Sequence, residues 1–247
     1  MARRRGGDKL FQKEKEKRDF RRKNADKELV KSIIIACEDS VSSPTYFQMI
    51  IDNLIAQKKI TPNSIVIVPH DGYTNPTGVL KNLKNYNKNG ISYKEYEYKW
   101  IVIDRDSNYK GGGHSKEDFN EALSNAKSKR RDLHIDVAYS NDSFELWYLL
   151  HFDYRNTPIM RDEIIEKVIE KLKNLEPHIF SRLTQDNIKE ANYTKHIFKA
   201  LLNLQDTAIR NAKRLLDSYG TSHNPESDNP STTVHNLVIL LNNLENV

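Results

Sequence analysis

Residues 34–47 read IIACEDSVSSPTYF, and the fold turns on them. The β-branched run from Ser32 to Ala36 predicts a buried strand. It ends on an acid, Glu38. A few residues later Ser43 and Pro44 stand as a helix N-cap followed by proline at the first helical position. Phe47, Ile50, Ile51 and Leu54 then recur at helical spacing, so the helix is expected to run to about Gln57. A strand that turns within a few residues into an amphipathic helix is the first half of a β–α–β unit.

Outward from there the pattern repeats. Strands are predicted over Ser64–Val68, Tyr98–Ile103 and Leu133–Tyr139. A weaker helix is predicted from Thr74 to Lys88, ending at Gly90. A further helix runs through about Ser128, opened by Ser115 with Asp118 in a capping-box arrangement. Strands alternating with helices imply parallel pairing through right-handed crossovers. After residue 143 the signal becomes helical. Phe144–Phe152 is strongly apolar, and Trp147, Leu149, Leu150 and Phe152 read as core. Ile164 to Leu172 marks one amphipathic helix, Ile197 to Leu216 another, and Val234 to Leu244 the last. The expected organisation is a basic arm over residues 1–29, an α/β parallel-sheet core over 30–155, and a helical C-terminal region over 156–247 packed on the core.

Bulk properties narrow the function classes. The 247-residue chain is 37% hydrophobic and 30% charged, a polar composition with strands too apolar for a disordered protein. No apolar run approaches the roughly 18 residues needed to span a bilayer. The N-terminus has no apolar segment of a secretory signal, so a cytoplasmic protein is expected. Cys37 is the single cysteine, which excludes an internal disulfide and a cysteine zinc cluster; it reads as a small buried hydrophobe. The net charge of +5 is concentrated at the start: residues 1–31 hold thirteen Lys or Arg against six Asp or Glu. Such an arm either binds a polyanion by counterion release or is a solvated tail. No Walker-type phosphate loop occurs, so ATP hydrolysis by this chain is not expected.

Ligands of open α/β sheets bind outside the carboxyl ends of the strands. The first strand delivers Glu38 there, and the third delivers Asp104-Arg105-Asp106 in KWIVIDRDSNYKGGGHS. Residues i and i+2 of a strand share a face, so Asp104 and Asp106 are expected to converge while Arg105 points away. Two carboxylates about 4 Å apart repel by roughly 4 kcal/mol at an effective dielectric of 20. Protons or cations must neutralise such a cluster, and oxygen ligands favour Mg²⁺ or Mn²⁺ over zinc. An aspartate pair at a strand end can equally be solvated.

The stretches IIACEDSVSSPTYF, WIVIDRDS, FNEALSNAK, VAYSNDSFELWYLLHF and NPSTTVHNLV, scattered over residues 33–239, together resemble the RloB family, which is also represented by one component of the AbiL phage-resistance system. A strand-terminal Glu followed one unit later by a strand ending Asp-x-Asp resembles the Toprim domain of topoisomerases, primases and OLD-family nucleases. The resemblance implies a Toprim-like core and a metal-dependent nuclease acting on RNA or DNA, working beside an AAA-type ATPase in antiphage defence. It carries to Glu38 as metal ligand or general acid/base, and to Asp104 and Asp106 as Mg²⁺ or Mn²⁺ ligands. Toprim sequences commonly place Gly after the glutamate; here Asp39 stands there, altering backbone approach to phosphate or adding an acid.

Other positions carry two readings each. Glu145 is a first-turn acid behind a Ser143 cap, or an additional ligand or base at the fourth strand's edge. His70 and Asp71 are loop residues or border the cleft. Lys195 is a surface lysine or a phosphate contact, and His235 is a helix-start hydrogen-bonding group or a residue for phosphate contact or proton transfer. Arg105, Lys195 and His235 form the candidate nucleic-acid set. The competing functional expectations are a catalytically inactive sensor or binding subunit of an ATPase complex, and a nucleotide-binding or phosphoryl-transfer enzyme on the same fold.

Overall fold

The computed structural model describes residues 32–107 and 114–244. The basic arm lies outside them. Strand β1 (Ile33–Cys37) is flanked by β2 (Ile65–Ile67) on one side and β5 (Tyr98–Asp104) on the other, and β6 (Asp136–Asn141) follows β5. All of these pairs are parallel, with Ile35 opposite both Ile67 and Trp100, and Val102 opposite Ala138. A two-residue strand, β7 (Ser231–Thr232), closes the edge antiparallel to β6. The Thr232 and Thr233 hydroxyls donate to the carbonyls of Tyr139 and Val137, both at 2.9 Å. The STT segment is therefore a strap that covers the sheet edge. A mixed α/β fold with a mostly parallel central sheet and a helical C-terminal part results.

Alternation along the strands builds two cores. Ile34, Ala36, Ile101, Ile103 and Tyr139 face α2 (Pro76–Asn85) and α3 (Lys116–Ala126), through Val79, Leu80, Leu83, Phe119 and Ala122. Ile33, Ile35, Cys37, Trp100, Val102 and Ala138 face α1 (Ser42–Ala56) and α4 (Glu145–Leu150). On the same side pack α5 (Arg161–Leu175), α6 (Pro177–Phe180), α7 (Ala191–Leu201), α8 (Gln205–Tyr219) and α9 (Val234–Asn242). The C-terminal helices share this core with the sheet. At its centre Tyr46 meets Phe47, Phe144, Trp147 and Phe198 edge-on, with ring centroids 5.2–6.5 Å apart. Trp147, Leu149, Leu150 and Cys37 are buried as expected, whereas Phe152, expected in the core, packs half-buried against it.

Some local expectations are corrected. Helix α1 begins at Ser42 rather than after Ser43, and Asp39 caps it: its carboxylate accepts from the N–H groups of Val41 (2.9 Å) and Ser43 (3.0 Å) and from the Ser43 hydroxyl. An anionic cap satisfies the helix donors better than a hydroxyl can, and Asp39 is spent on that task. The long helix expected over Ile197–Leu216 is two, α7 and α8, joined by a 3₁₀ turn at Leu202–Leu204. The helix expected to run from Thr74 to Lys88 stops at Asn85. Its tail folds into a small hairpin of β3 (Asn87–Lys88) and β4 (Ile91–Ser92), where Asn89 and Gly90 take the positive φ angles of a tight turn. The fourth strand lies three residues later than expected, over Asp136–Asn141. Half of the expected capping box is present: the Ser115 hydroxyl accepts from Asp118 N–H at 3.1 Å, while the Asp118 carboxylate accepts from Asn75 Nδ2 at 2.9 Å and from the Thr77 hydroxyl.

Candidate metal and phosphate centre

The connection leaving β1 runs through α1 to β2 on one side. The connection leaving β5 runs through α3 to β6 on the other. The carboxyl ends of β1 and β5 thus flank the switch point of the sheet, where a crevice must open. Glu38 and Asp104 stand there. Glu38 Oε2 accepts from the backbone N–H of Asp104 at 2.9 Å, which clamps the glutamate to the neighbouring strand end. Its Oε1 meets His114 Nε2. Its carbonyl accepts from His70 Nε2 at 3.0 Å; because His70 Nδ1 accepts from Gly72 N–H at 3.1 Å, the proton of this imidazole lies on Nε2.

Asp104 and Asp106 are both buried, and a single cation joins them. Arg161, the first residue of α5, puts Nη1 2.7 Å from Asp106 Oδ2 and Nη2 3.9 Å from Asp104 Oδ2. Among the described residues no hydrogen-bond partner reaches Asp106 Oδ1, which is buried. Asp106 takes a positive φ of 40°, a strained choice for a non-glycine residue. Asp142 holds this bend in place. Its Oδ1 accepts from the Ser107 N–H (2.7 Å) and hydroxyl (2.9 Å), and its Oδ2 from the Arg161 N–H (3.1 Å).

Glu145, in the first turn of α4, is fully buried, and neither carboxylate oxygen makes an aligned hydrogen bond among the described residues. Lys189 Nζ stands 3.3 Å from its Oε1. Ser143 does not cap this helix through its side chain.

The acids titrate as a group. Burial raises Glu38 above the ordinary carboxylate range, and the His114 contact offsets part of the rise. Burial, then the charges of Glu38 and Glu145, push Asp104 well up, against the pull of Lys189 and Arg161. In Glu145 burial is outweighed by Lys189 and Arg161, so its carboxyl is held low. In His114 burial is likewise outweighed, by Glu38 and Asp106, and its imidazolium is favoured.

Glu38, Asp104, Asp106 and Glu145 therefore meet at one edge. Arg105 does not join them. It is 4% exposed, its Nη2 lies 3.1 Å from Glu226 Oε1, and its Nη1 donates to the His114 carbonyl at 3.2 Å. Arg105, expected to contact nucleic acid, is a buried tie between the β5 edge and the 219–230 connection. His235, expected to contact phosphate, is 3% exposed, and burial lowers its pKa to about 4. Lys195 lies exposed on α7. Sequence reasoning missed His114, Asp142, Arg161, Lys189 and Glu226. Arg161 had a signal: a cation at a helix N-terminus opposes the macrodipole and calls for a nearby acid.

Beside Glu38, on the β2 side, lies a cavity of about 350 Å³ lined by Asp39, Ser40, Thr45, Gln48 and His70 among others. The donor set at the edge, carboxylate oxygens with a buried Asp106 Oδ1 that has no hydrogen-bond partner among the described residues, suits a hard divalent cation. In the conformation seen, no group of three His, Cys, Asp or Glu side chains among the described residues is arranged to hold one; His114 contacts Glu38 and Arg161 contacts the aspartate pair.

The fold and this edge define an α/β protein with a cluster of acids at the switch point of a mostly parallel sheet. The family model of the RloB-like protein matches residues 33–241, and the chain belongs to that family. No curated protein and no solved structure matches it. Among the described residues no helix is long and apolar enough to cross a membrane.

Proposed function

We propose that this chain is a divalent-metal-dependent nuclease of the Toprim type, hydrolysing phosphodiester bonds in RNA or DNA as an antiphage effector beside an AAA-type ATPase. One observation carries the reading: Glu38 and Asp104 are clamped together at the switch point, with Asp106 and Glu145 buried at the same edge and incompletely hydrogen-bonded among the described residues. Buried acids of this kind are costly unless a task requires them. Glu38, Asp104 and Asp106 would hold Mg²⁺ or Mn²⁺, which when bound supplies Lewis-acid stabilisation of a phosphodiester and a more acidic water. The chain's own residues do the rest. His114 Nε2 shares a proton with Glu38 Oε1 and so sets which of them is the acid. The backbone N–H of Asp104 fixes the angle of Glu38. Ser40, Thr45 and Gln48 offer polar groups to a nucleotide flanking the cut, in the cavity beside Glu38. The basic arm adds salt-sensitive attraction to the polyanion.

The occupation of the acids by Arg161 and His114 favours a second reading, a non-catalytic sensor or binding subunit of an ATPase complex. The two are separated by incubating the full chain with RNA and with DNA in Mn²⁺ or Mg²⁺, with and without the partner ATPase. Cleavage that chelation stops and Asp104→Asn abolishes supports the nuclease. Cleavage indifferent to Asp104→Asn counts against this site, and nucleic-acid binding without cleavage under every condition supports the second reading.

A further inference from the structure

Arg161 is placed where helix physics disfavours a cation. It opens α5, where the N-terminal dipole is positive, and Asp162 and Glu163 follow it as acids suited to that end. What holds it is the acid pair. Its guanidinium contacts Asp106 at 2.7 Å and approaches Asp104 at 3.9 Å, while Asp106 Oδ1 stays buried without a hydrogen-bond partner among the described residues. The side chain is only 24% exposed, yet the Arg161 backbone is fixed separately, through its N–H to Asp142 at 3.1 Å. The guanidinium can therefore leave the acids without unseating the helix. Lys189, against Glu145, is a second cation at the same edge and does not touch the aspartate pair in this arrangement.

We propose that Arg161 is the resident counter-cation of Asp104 and Asp106, yielding the pair to a divalent ion and turning its guanidinium to the substrate's phosphodiester. This rests on the metal-dependent reading above. A monovalent cation within 4 Å of both aspartates offsets part of their charge and repels a divalent ion entering between them, so the pair is guarded. Once displaced, the planar fork of a guanidinium matches two phosphate oxygens, which an ammonium does not. The exchange keeps the local charge balanced: the metal replaces Arg161 at the carboxylates, and the incoming phosphate supplies the anion that Arg161 gives up. The residue is then a positioning residue for metal loading and a binding residue for substrate.

The test is direct Mn²⁺ titration of the full chain by calorimetry without nucleic acid, for wild type, Arg161→Gln, Arg161→Lys and Asp104→Asn. Arg161→Gln is expected to bind Mn²⁺ at least tenfold more tightly than wild type, and to bind a short single-stranded RNA at least fivefold more weakly. Asp104→Asn is expected to lose Mn²⁺ binding. If Arg161→Gln does not fold, Arg161→Lys carries the test: its hydrated ammonium is a poorer match for the pair, and Mn²⁺ is expected to bind threefold or more tightly than in wild type. A purely structural brace would leave Mn²⁺ affinity unchanged or weaker on substitution. That result, with wild-type binding still sensitive to Asp104→Asn, overturns the counter-cation role while leaving the metal site standing. Absence of Mn²⁺ binding in every variant overturns both.

Discussion

Asp142 is the residue whose loss should tell most about how the edge is held. It is fully buried, and its carboxylate takes three donors: the Ser107 N–H at 2.7 Å, the Ser107 hydroxyl at 2.9 Å and the Arg161 N–H at 3.1 Å. Asp142→Ala orphans all three. A buried donor left unsatisfied costs ~1–3 kcal/mol. Ser107 and Arg161 are only partly buried, so water recovers some of this, and each donor counts at the low end. The expected loss is about 3 kcal/mol of unfolding free energy. Asp142→Asn keeps one acceptor oxygen and turns an amide toward a donor, for a loss of about 1.5 kcal/mol. Urea unfolding followed by far-ultraviolet circular dichroism reads both values. The ordering alanine worse than asparagine, with an unchanged dependence on denaturant, is required. A shift under about 1 kcal/mol for Asp142→Ala would show that Ser107 and Arg161 are held by something else.

Other outcomes follow from the same geometry. His151 donates from Nδ1 to the Trp147 carbonyl at 2.8 Å, and burial lowers its pKa to about 4. Its folded pKa lies below the ordinary 6.5 of the unfolded chain, so its stabilising share is complete above pH 6.5 and lost as pH falls toward 4, up to about 3 kcal/mol. A His151→Leu variant, compared with wild type by urea midpoint from pH 7.5 to 4.5, should lack that acid slope. The comparison isolates it from Glu38 and Asp104, whose raised carboxyls act in the opposite direction. Trp147→Ala empties the centre of the aromatic cluster and should cost about 3–5 kcal/mol by denaturant titration. Arg105→Met leaves Glu226 with only the longer 3.6 Å contact to exposed Lys116; it should lower the melting temperature by several degrees, on the order of 1–2 kcal/mol. RNA affinity measured by fluorescence anisotropy should stay within twofold of wild type, whereas a nucleic-acid role for Arg105 requires a larger loss.

The sheet was legible because its strands are short, β-branched and bounded by caps, and because apolar residues on both faces leave one solution, a sheet buried between helices. Glu38, Asp104 and Asp106 were legible for a related reason: the topology rule names strand ends as the place to look, and these acids stand directly after apolar runs. Their partners were not. Arg161 and Lys189 come from the helical region, Glu226 and His114 from connections, and long-range ion pairs leave no periodic trace in a sequence. Arg105 misled because i and i+2 alternation predicts only that it leaves the acid face. It cannot say that a half-buried Glu226 waits on the other side. Helix α1 misled through chemistry of equal quality: Ser43-Pro44 is a good start signal, but an aspartate four residues upstream of Ser43 reaches the same donors with a full charge.

The measurement that bears most directly on the central claim is Mn²⁺-dependent cleavage of RNA and DNA by the full chain, with and without the AAA-type ATPase proposed above as its partner, wild type against Glu38→Gln. The glutamine keeps the bond from the Asp104 N–H and the shape of the crevice, but removes the charge. The account predicts cleavage by wild type and at least a hundredfold loss in the variant, with the fold intact by circular dichroism. Equal cleavage by the two proteins would contradict it.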